Sequence, residues 1–348
     1  MADELRSYFA SRRAQIERVD ARFAEAVCSL QAFVLRGGKR LRPSFAWWGW
    51  RGAGGDPADT SAAGVLRACS ALELIQACAL VHDDLMDASA TRRGHPTVHT
   101  EFAQRHRAEG WGGDPDRFGS AAAVLLGDLA LAWADDMLRT AAWSVSSLTA
   151  ALPYWEAMRT EMLGGQYLDV LTEVSGDESP EAALRIDRFK TAAYTVERPL
   201  QLGAALAGAS PELIGAYSRF GQDVGVAFQL RDDLLGVFGD PDVTGKPAGD
   251  DLREGKRTLL VAVALQRADA TDPTGAAALR LGLGSDLDEK AIERLRRLLV
   301  DLGAVQQVEE KISALTERGL AALDTGLIDP VARAELTRIA EVAAVRSS

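Results

Sequence analysis

The 348-residue sequence has few of the residues that build soft-metal and redox sites: three cysteines and four histidines. Three cysteines (Cys28, Cys69, Cys78) exclude a disulfide framework. Each lies in an apolar, helix-like stretch, so reduced, buried thiols in a cytoplasmic protein are expected. His95 and His99 are four apart, but Pro96 between them spoils helical spacing, and no His/Cys metal site is expected. There is no basic run, and 39 Lys+Arg against 50 Asp+Glu leave a net charge of -11. That balance speaks against wrapping nucleic acid. The longest apolar run, Ala121 to Ala134, is interrupted by Asp128, so no bilayer-spanning stretch is expected. Met1 to Asp20 is charged and lacks the apolar centre of a signal peptide. Alternation of period two is nearly missing, which argues against half-buried strands.

What is present is ordinary globular chemistry, 47% hydrophobic and 26% charged, which excludes a mostly disordered chain. Apolar residues recur at helical spacing over Val65 to Asp87, Ala121 to Thr140, Pro153 to Leu171, Leu213 to Val237 and Ile292 to Leu302. The pattern predicts an all-α fold, one domain over residues 1–348, with helices long enough to cross it. Breaks are expected at Gly52 to Pro57, Gly110 to Gly119, Ser175 to Pro180 and Asp240 to Asp251. A loose connection is expected over Ala268 to Asp288. Ser179 or Asp177 is a candidate N-cap, with Pro180 at the first helical position.

Positive charge is written as arginine: 33 against six lysines. Four of the six (Lys39, Lys190, Lys246, Lys256) fall inside the motifs described below, where a rotatable ammonium suits phosphate oxygens. Asp83-Asp84-Leu85-Met86-Asp87 ends an apolar helix and puts Asp83 and Asp87 one turn apart on one face. Like charges so placed call for a hard cation such as Mg²⁺, which also leaves positions for phosphate oxygens. Arg92-Arg93-Gly94 follows. Gly37-Gly38-Lys39-Arg40-Leu41-Arg42-Pro43 is a second basic turn, and it lacks the glycine spacing and the Ser/Thr of a Walker A loop. Phe228-Gln229-Leu230-Arg231-Asp232-Asp233-Leu234-Leu235-Gly236 repeats the acidic theme, followed by Gly245-Lys246-Pro247, Gly249-Asp250-Asp251 and Lys256-Arg257. Two acidic helix segments can face one another across a bundle and frame a cavity mouth for metal and diphosphate.

Taken together, GGKRLRP, DDLMD, RRG, GGQYLD, KT, FQLRDD, GKP and GDDLREGKRT resemble the trans-isoprenyl diphosphate synthases of the polyprenyl synthetase family. The resemblance spans roughly residues 30 to 260. It implies a single helical bundle around a deep central cavity, a homodimer, and Mg²⁺-dependent condensation of isopentenyl diphosphate with an allylic diphosphate. It further implies that Asp83 and Asp87 bind two Mg²⁺, supported by Asp84, and that Asp232, beside Asp233, binds a third. Arg92, Lys190, Lys246 and Lys256 would hold the allylic diphosphate. Lys39, Arg42, Arg93 and Gln76 would hold isopentenyl diphosphate, with Arg40 a lesser ligand. Gln166, Asp169, Thr191 and Gln229 would line the reaction centre. One position departs from the pattern: the third aspartate of the second motif is Gly236, and Asp240 need not share the face.

Product length is expected to follow bulk on the cavity wall. Farnesyl-forming relatives commonly carry an aromatic four or five residues before the first Asp. Here Ala79 and Cys78 occupy those places, so growth past C15 is expected, with Trp133 a candidate stop near C20. Geranylgeranyl diphosphate is the expected product, and farnesyl or C25 and longer products stay open. A class I terpene cyclase would need an Asn/Ser/Glu metal triad where Arg231-Asp232-Asp233 stand. A non-catalytic partner subunit would lack the aspartates.

Overall fold

The computed structural model describes residues 1–141, 144–239 and 249–345. The helices are α1 (Ala2–Glu17), α2 (Ala21–Arg36), α3 (Leu41–Gly52), α4 (Ser61–Met86), α5 (Val98–Ala108), α6 (Pro115–Arg139), α7 (Val145–Ser175) and α8 (Pro180–Ile186). A π-helical segment (Asp187–Glu197) runs into α9 (Arg198–Leu206). Then follow α10 (Pro211–Phe238), α11 (Asp250–Glu254), α12 (Leu259–Thr271), α13 (Pro273–Gly282), α14 (Glu289–Asp301), α15 (Ala304–Ala321) and α16 (Pro330–Val345). Two-residue strands β1 (Thr91–Arg92) and β2 (His95–Pro96) form a hairpin after α4.

Helix α4 is the axis of the bundle. It buries Val65, Leu72, Leu74, Ile75 and Val81 completely. It packs with α1, α2, α6 and α7 in one core cluster. A second cluster joins α10 to α12, α14 and α15, and a third joins α3, α9, the start of α10 and α16. Helix α6 runs antiparallel to α4. His82 Nε2 lies 3.2 Å from the Val124 carbonyl near one end, and Arg67 donates to Thr140 Oγ1 (3.1 Å) near the other.

The structure corrects several expectations. α7 begins at Val145 and carries Pro153 in its interior. Pro153 is exposed, and so is Thr149, whose carbonyl loses its helical N–H partner, so water can take the missing bond and the helix runs through. Ala268 to Asp288 is mostly helical: Asp272 accepts from Gly275 N (3.0 Å) and Pro273 opens α13. The same Asp-Pro signature starts α6 at Pro115, inside the expected Gly110 to Gly119 loop, where Asp114 accepts from Asp116 N (2.9 Å). Ser179 caps α8 as expected, accepting from Ala182 N. Cys28 is exposed, whereas Cys69 and Cys78 are buried. The expectation of no span-capable stretch is also corrected. By length and composition α4 is apolar enough to cross a membrane, and most of it is buried inside the bundle. A helix covered on most of its sides reads as largely apolar, just as a span does.

The wide turn of the π-helical segment needs neighbours without side chains. A Cβ on Gly165 of α7 would stand 2.3 Å from Lys190 N, and one on Gly225 of α10 would stand 2.5 Å from Ala192 Cα. Gly165→Ala is therefore expected to cost roughly 1–3 kcal/mol by overpacking in denaturant unfolding. Gly164→Ala, with nothing within 4 Å, should be neutral or stabilising.

Candidate active site

The half-buried stripe of α4 reads Glu73, Gln76, Ala79, Asp83, Asp87, a helical spacing of three and four. At its upper end Asp84 turns inward and is buried. The β-hairpin brings a cation onto both carboxylates: Arg92 donates from Nε to Asp84 (2.6 Å) and from Nη2 to Asp83 (3.2 Å). The hairpin loop is Arg93-Gly94, both at positive φ (53° and 74°), as a two-residue type I′ turn requires. From that turn Arg93 donates to the Gly37 carbonyl, which joins the two basic motifs.

The π-helical segment faces α4 across the site. Lys190 donates to Asp83 (3.1 Å) and to Asp169 of α7 (2.6 Å). One residue on, Thr191 donates to Gln229 Oε1 (2.7 Å), whose Nε2 donates to Asp233 (2.6 Å). A turn later Tyr194 donates to Gln76 (2.7 Å). Arg42 lies over the Tyr194 ring, 4.0 Å from its centre, and donates to Thr195 (2.7 Å). Arg40, at φ 52°, is paired with Glu73 and donates to the Val34 carbonyl (3.2 Å). The segment thus links the acidic and basic halves.

Lys39 is exposed on its turn, and Asp232 is half-buried on α10. Lys256 bridges Glu254 (2.7 Å) and Asp251 (3.4 Å). Gln166 contacts Met86 Sδ (3.6 Å). Lys246 and Asp240 lie outside the described residues. Ala79 shares the stripe of Asp83. Cys78 is buried and shares a face with His82, its Sγ 3.7 Å from Nδ1. Trp133 packs edge-on against Tyr8 and Phe9 of α1, centres 6.1 and 5.8 Å away. The α4–α6 register sets it level with residues 73–74, roughly 14 Å below Asp83 at 1.5 Å per residue.

Charge within the site is unevenly compensated. Burial pushes Asp83 up, but Lys190 and Arg92 outweigh it and hold its carboxyl below the ordinary value. At Asp87 the balance reverses: burial and the neighbouring Asp83 outweigh Lys256 and Lys190 and push it to about 6. Burial, with Asp169 nearby, pushes Asp187 to about 8. Asp233 is raised well above the usual range by burial and by Asp187 and Asp251. On the basic side, burial together with Arg92, Arg40 and Arg42 depresses Arg93, against an opposing pull from Glu73. Acidic groups short of a cation thus face basic groups short of an anion. Among the described residues no three His, Cys, Asp or Glu side chains are gathered into a ready-made ion cage. An all-carboxylate donor set that leaves positions to water and phosphate fits Mg²⁺, which dehydrates reluctantly. Asp233 Oδ2, buried without a hydrogen-bond partner, fits the same demand for a cation.

Sequence reasoning assigned no role to Glu73, Asp187, Tyr194, Thr195 or Asp251. Tyr194 and Thr195 had a signal, four residues after Lys190 and Thr191, though the wider π turn alters that spacing.

Residues 26–299 match the sequence profile of the polyprenyl synthetase family. The geranylfarnesyl diphosphate synthase of Aeropyrum pernix is 33% identical over 288 residues, 82% of each chain. A short chain isoprenyl diphosphate synthase of Methanothermobacter thermautotrophicus is 32% identical over 319 residues, 86% of this chain and 90% of that one. The crystal structure of a geranylgeranyl pyrophosphate synthase from Corynebacterium glutamicum, complexed with isoprenyl diphosphate and magnesium, superposes with a TM-score of 0.96. It is 48% identical and covers 99% of this chain and 97% of its own.

Asp187 offers a pH test. Its carboxyl binds its proton more tightly folded than unfolded, so the stability it contributes is complete below about 4 and falls as pH rises toward 8. Without divalent cations, Asp187→Asn should gain stability over the wild type as pH is raised from 5 to 8.5, by about 1 kcal/mol or more, read from thermal unfolding. A constant difference across that range would sink the assignment.

Proposed function

Because the chain belongs to the polyprenyl synthetase family, we propose that its product is geranylgeranyl diphosphate, made from isopentenyl diphosphate and an allylic diphosphate of C5 to C15. The reaction class itself is trans-prenyl transfer by a prenyl diphosphate synthase. The family is Mg²⁺-dependent, and a neighbouring structure contains magnesium. Three ions per site is our finer reading, with Asp83 and Asp87 holding two and Asp232 the third. When bound, the metal stabilises negative charge on the leaving diphosphate.

The chain's own residues do the rest. Arg92, Lys190, Lys246 and Lys256 hold the allylic diphosphate, and their positive charge favours departure of its oxygen from carbon. Lys39, Arg42, Arg93 and Gln76 hold isopentenyl diphosphate on the other side of Lys190. Tyr194 orients Gln76 and carries Arg42 on its ring, which sets the acceptor's position relative to the allylic carbon. Gln166, Asp169, Thr191 and Gln229 line the centre. The allylic C–O bond breaks, the double bond of isopentenyl diphosphate forms the new C–C bond, and a proton leaves to the departing diphosphate. The apolar bundle below keeps water from the cation.

The observation that carries the reading is Lys190, bonded at once to Asp83 and Asp169 and one turn from Tyr194. The C20 length is supported by the small Ala79 on the Asp83 stripe and by the aromatic cluster of Trp133, about two and a half turns below Asp83. A homodimer is supported by the exposed apolar stripe Leu163, Tyr167, Val170, Leu171 and Val174 on α7, and by the exposed Val124 and Leu125 on α6.

The test is incubation with Mg²⁺, isopentenyl diphosphate and C5, C10 or C15 primers, with product length read by chromatography after phosphatase treatment. C20 should accumulate. Ala79→Phe should shift the product toward C15, and Trp133→Ala toward lengths above C20. Accumulation of C15 by the wild type would overturn the length, and failure to consume isopentenyl diphosphate would overturn the activity.

A further inference from the structure

The second acidic motif ends in Gly236 where an aspartate would complete it, yet the space beside Gly236 is filled. A Cβ there would stand 1.9 Å from Asp251 Oδ2, 2.4 Å from its Cγ and 2.9 Å from Oδ1. Real Cβ contacts essentially never fall below 3.0 Å, so a side chain at 236 could enter only if the Asp251 carboxylate turned aside. An aspartate at 236 would carry its carboxyl carbon one C–C bond, about 1.5 Å, from that Cβ. Asp251 brings its carboxyl carbon into the same small volume from α11, a different element. The group faces the site. Asp251 Oδ1 accepts from Lys256, and the Lys256 charge is felt at both Asp83 and Asp87.

We infer that Asp251 supplies the third carboxylate of the second acidic site, delivered by α11 into the space left by Gly236, and helps hold the divalent cation with Asp232. The inference rests on the function proposed above. It also accounts for the glycine: the position is vacant because the carboxylate arrives from elsewhere.

The test titrates Mn²⁺ into the metal-free protein with inorganic pyrophosphate, reading free Mn²⁺ by electron paramagnetic resonance. Asp251→Asn should weaken Mn²⁺ uptake about tenfold or more, the scale seen when a metal's supporting groups are lost. Gly236→Asp should also weaken it, because the Asp251 carboxylate must turn aside to admit the new side chain. The exchange Gly236→Asp with Asp251→Gly should recover most of the loss. Thermal unfolding checks folding, and if the exchange variant does not fold, Asp251→Asn decides alone. A purely structural Asp251 that anchors Lys256 would instead raise KM for the allylic diphosphate and leave the Mn²⁺ midpoint unmoved. That result overturns the inference, as does a folded exchange variant that recovers nothing. Wild-type protein that takes up no Mn²⁺, with Asp83→Asn no different, overturns the proposed function and the inference together. Wild type and Asp251→Asn alike, with Asp83→Asn weakened, overturns the inference alone.

Discussion

Carboxylates from α4, α7, α10 and the π-helical segment converge on one end of an apolar bundle, where water is too scarce to screen their repulsion. The architecture around them answers that repulsion only in part. Asp83 and Asp84 share Arg92, and Lys190 ties Asp83 to Asp169. Asp87, Asp187 and Asp233 are left to protonate or to await a cation. A fully neutralised cluster would bind no metal, and a wholly uncompensated one would oppose folding.

The basic half follows the same division. Arg40 is spent on Glu73, while Arg42 and Arg93 rest on an aromatic ring and a backbone carbonyl, neither of which removes their charge. Arg40, Ala88 and Arg93 are the non-glycine residues at positive φ among those described, and all three flank the site. Such conformations cost about 1 kcal/mol or more each. Of these, Arg93 holds its guanidinium on a short turn instead of on a mobile loop, a form of preorganisation for an anionic substrate.

Much of the site was legible because its chemistry is local. One helical turn puts Asp83 and Asp87 on one face, whatever surrounds them. The partnerships were less legible. Tyr194 with Gln76 spans 118 residues and Lys190 with Asp83 spans 107, and the π turn that aims Lys190, Thr191 and Tyr194 leaves no mark in apolar periodicity. The misread segments have the same origin. Pro153 stands on an exposed face where a lost helical bond can be made to water, and the apolar length of α4 means burial in a bundle as readily as a membrane span. The Asp-Pro starts of α6 and α13 were local signals that the neighbouring glycines obscured.

From the sequence alone came the helical class, the two acidic motifs, the basic turns and the vacancy at Gly236, since each depends on residue type and short spacing. Tertiary structure decided which carboxylates are neutralised, since that turns on distances between elements far apart in the chain. It also separated Ala79 on the site stripe from Cys78 beside His82, and it set Asp251 against Gly236. Bond geometry reaches over one turn of helix, whereas Coulomb forces and excluded volume act across the gap between helices.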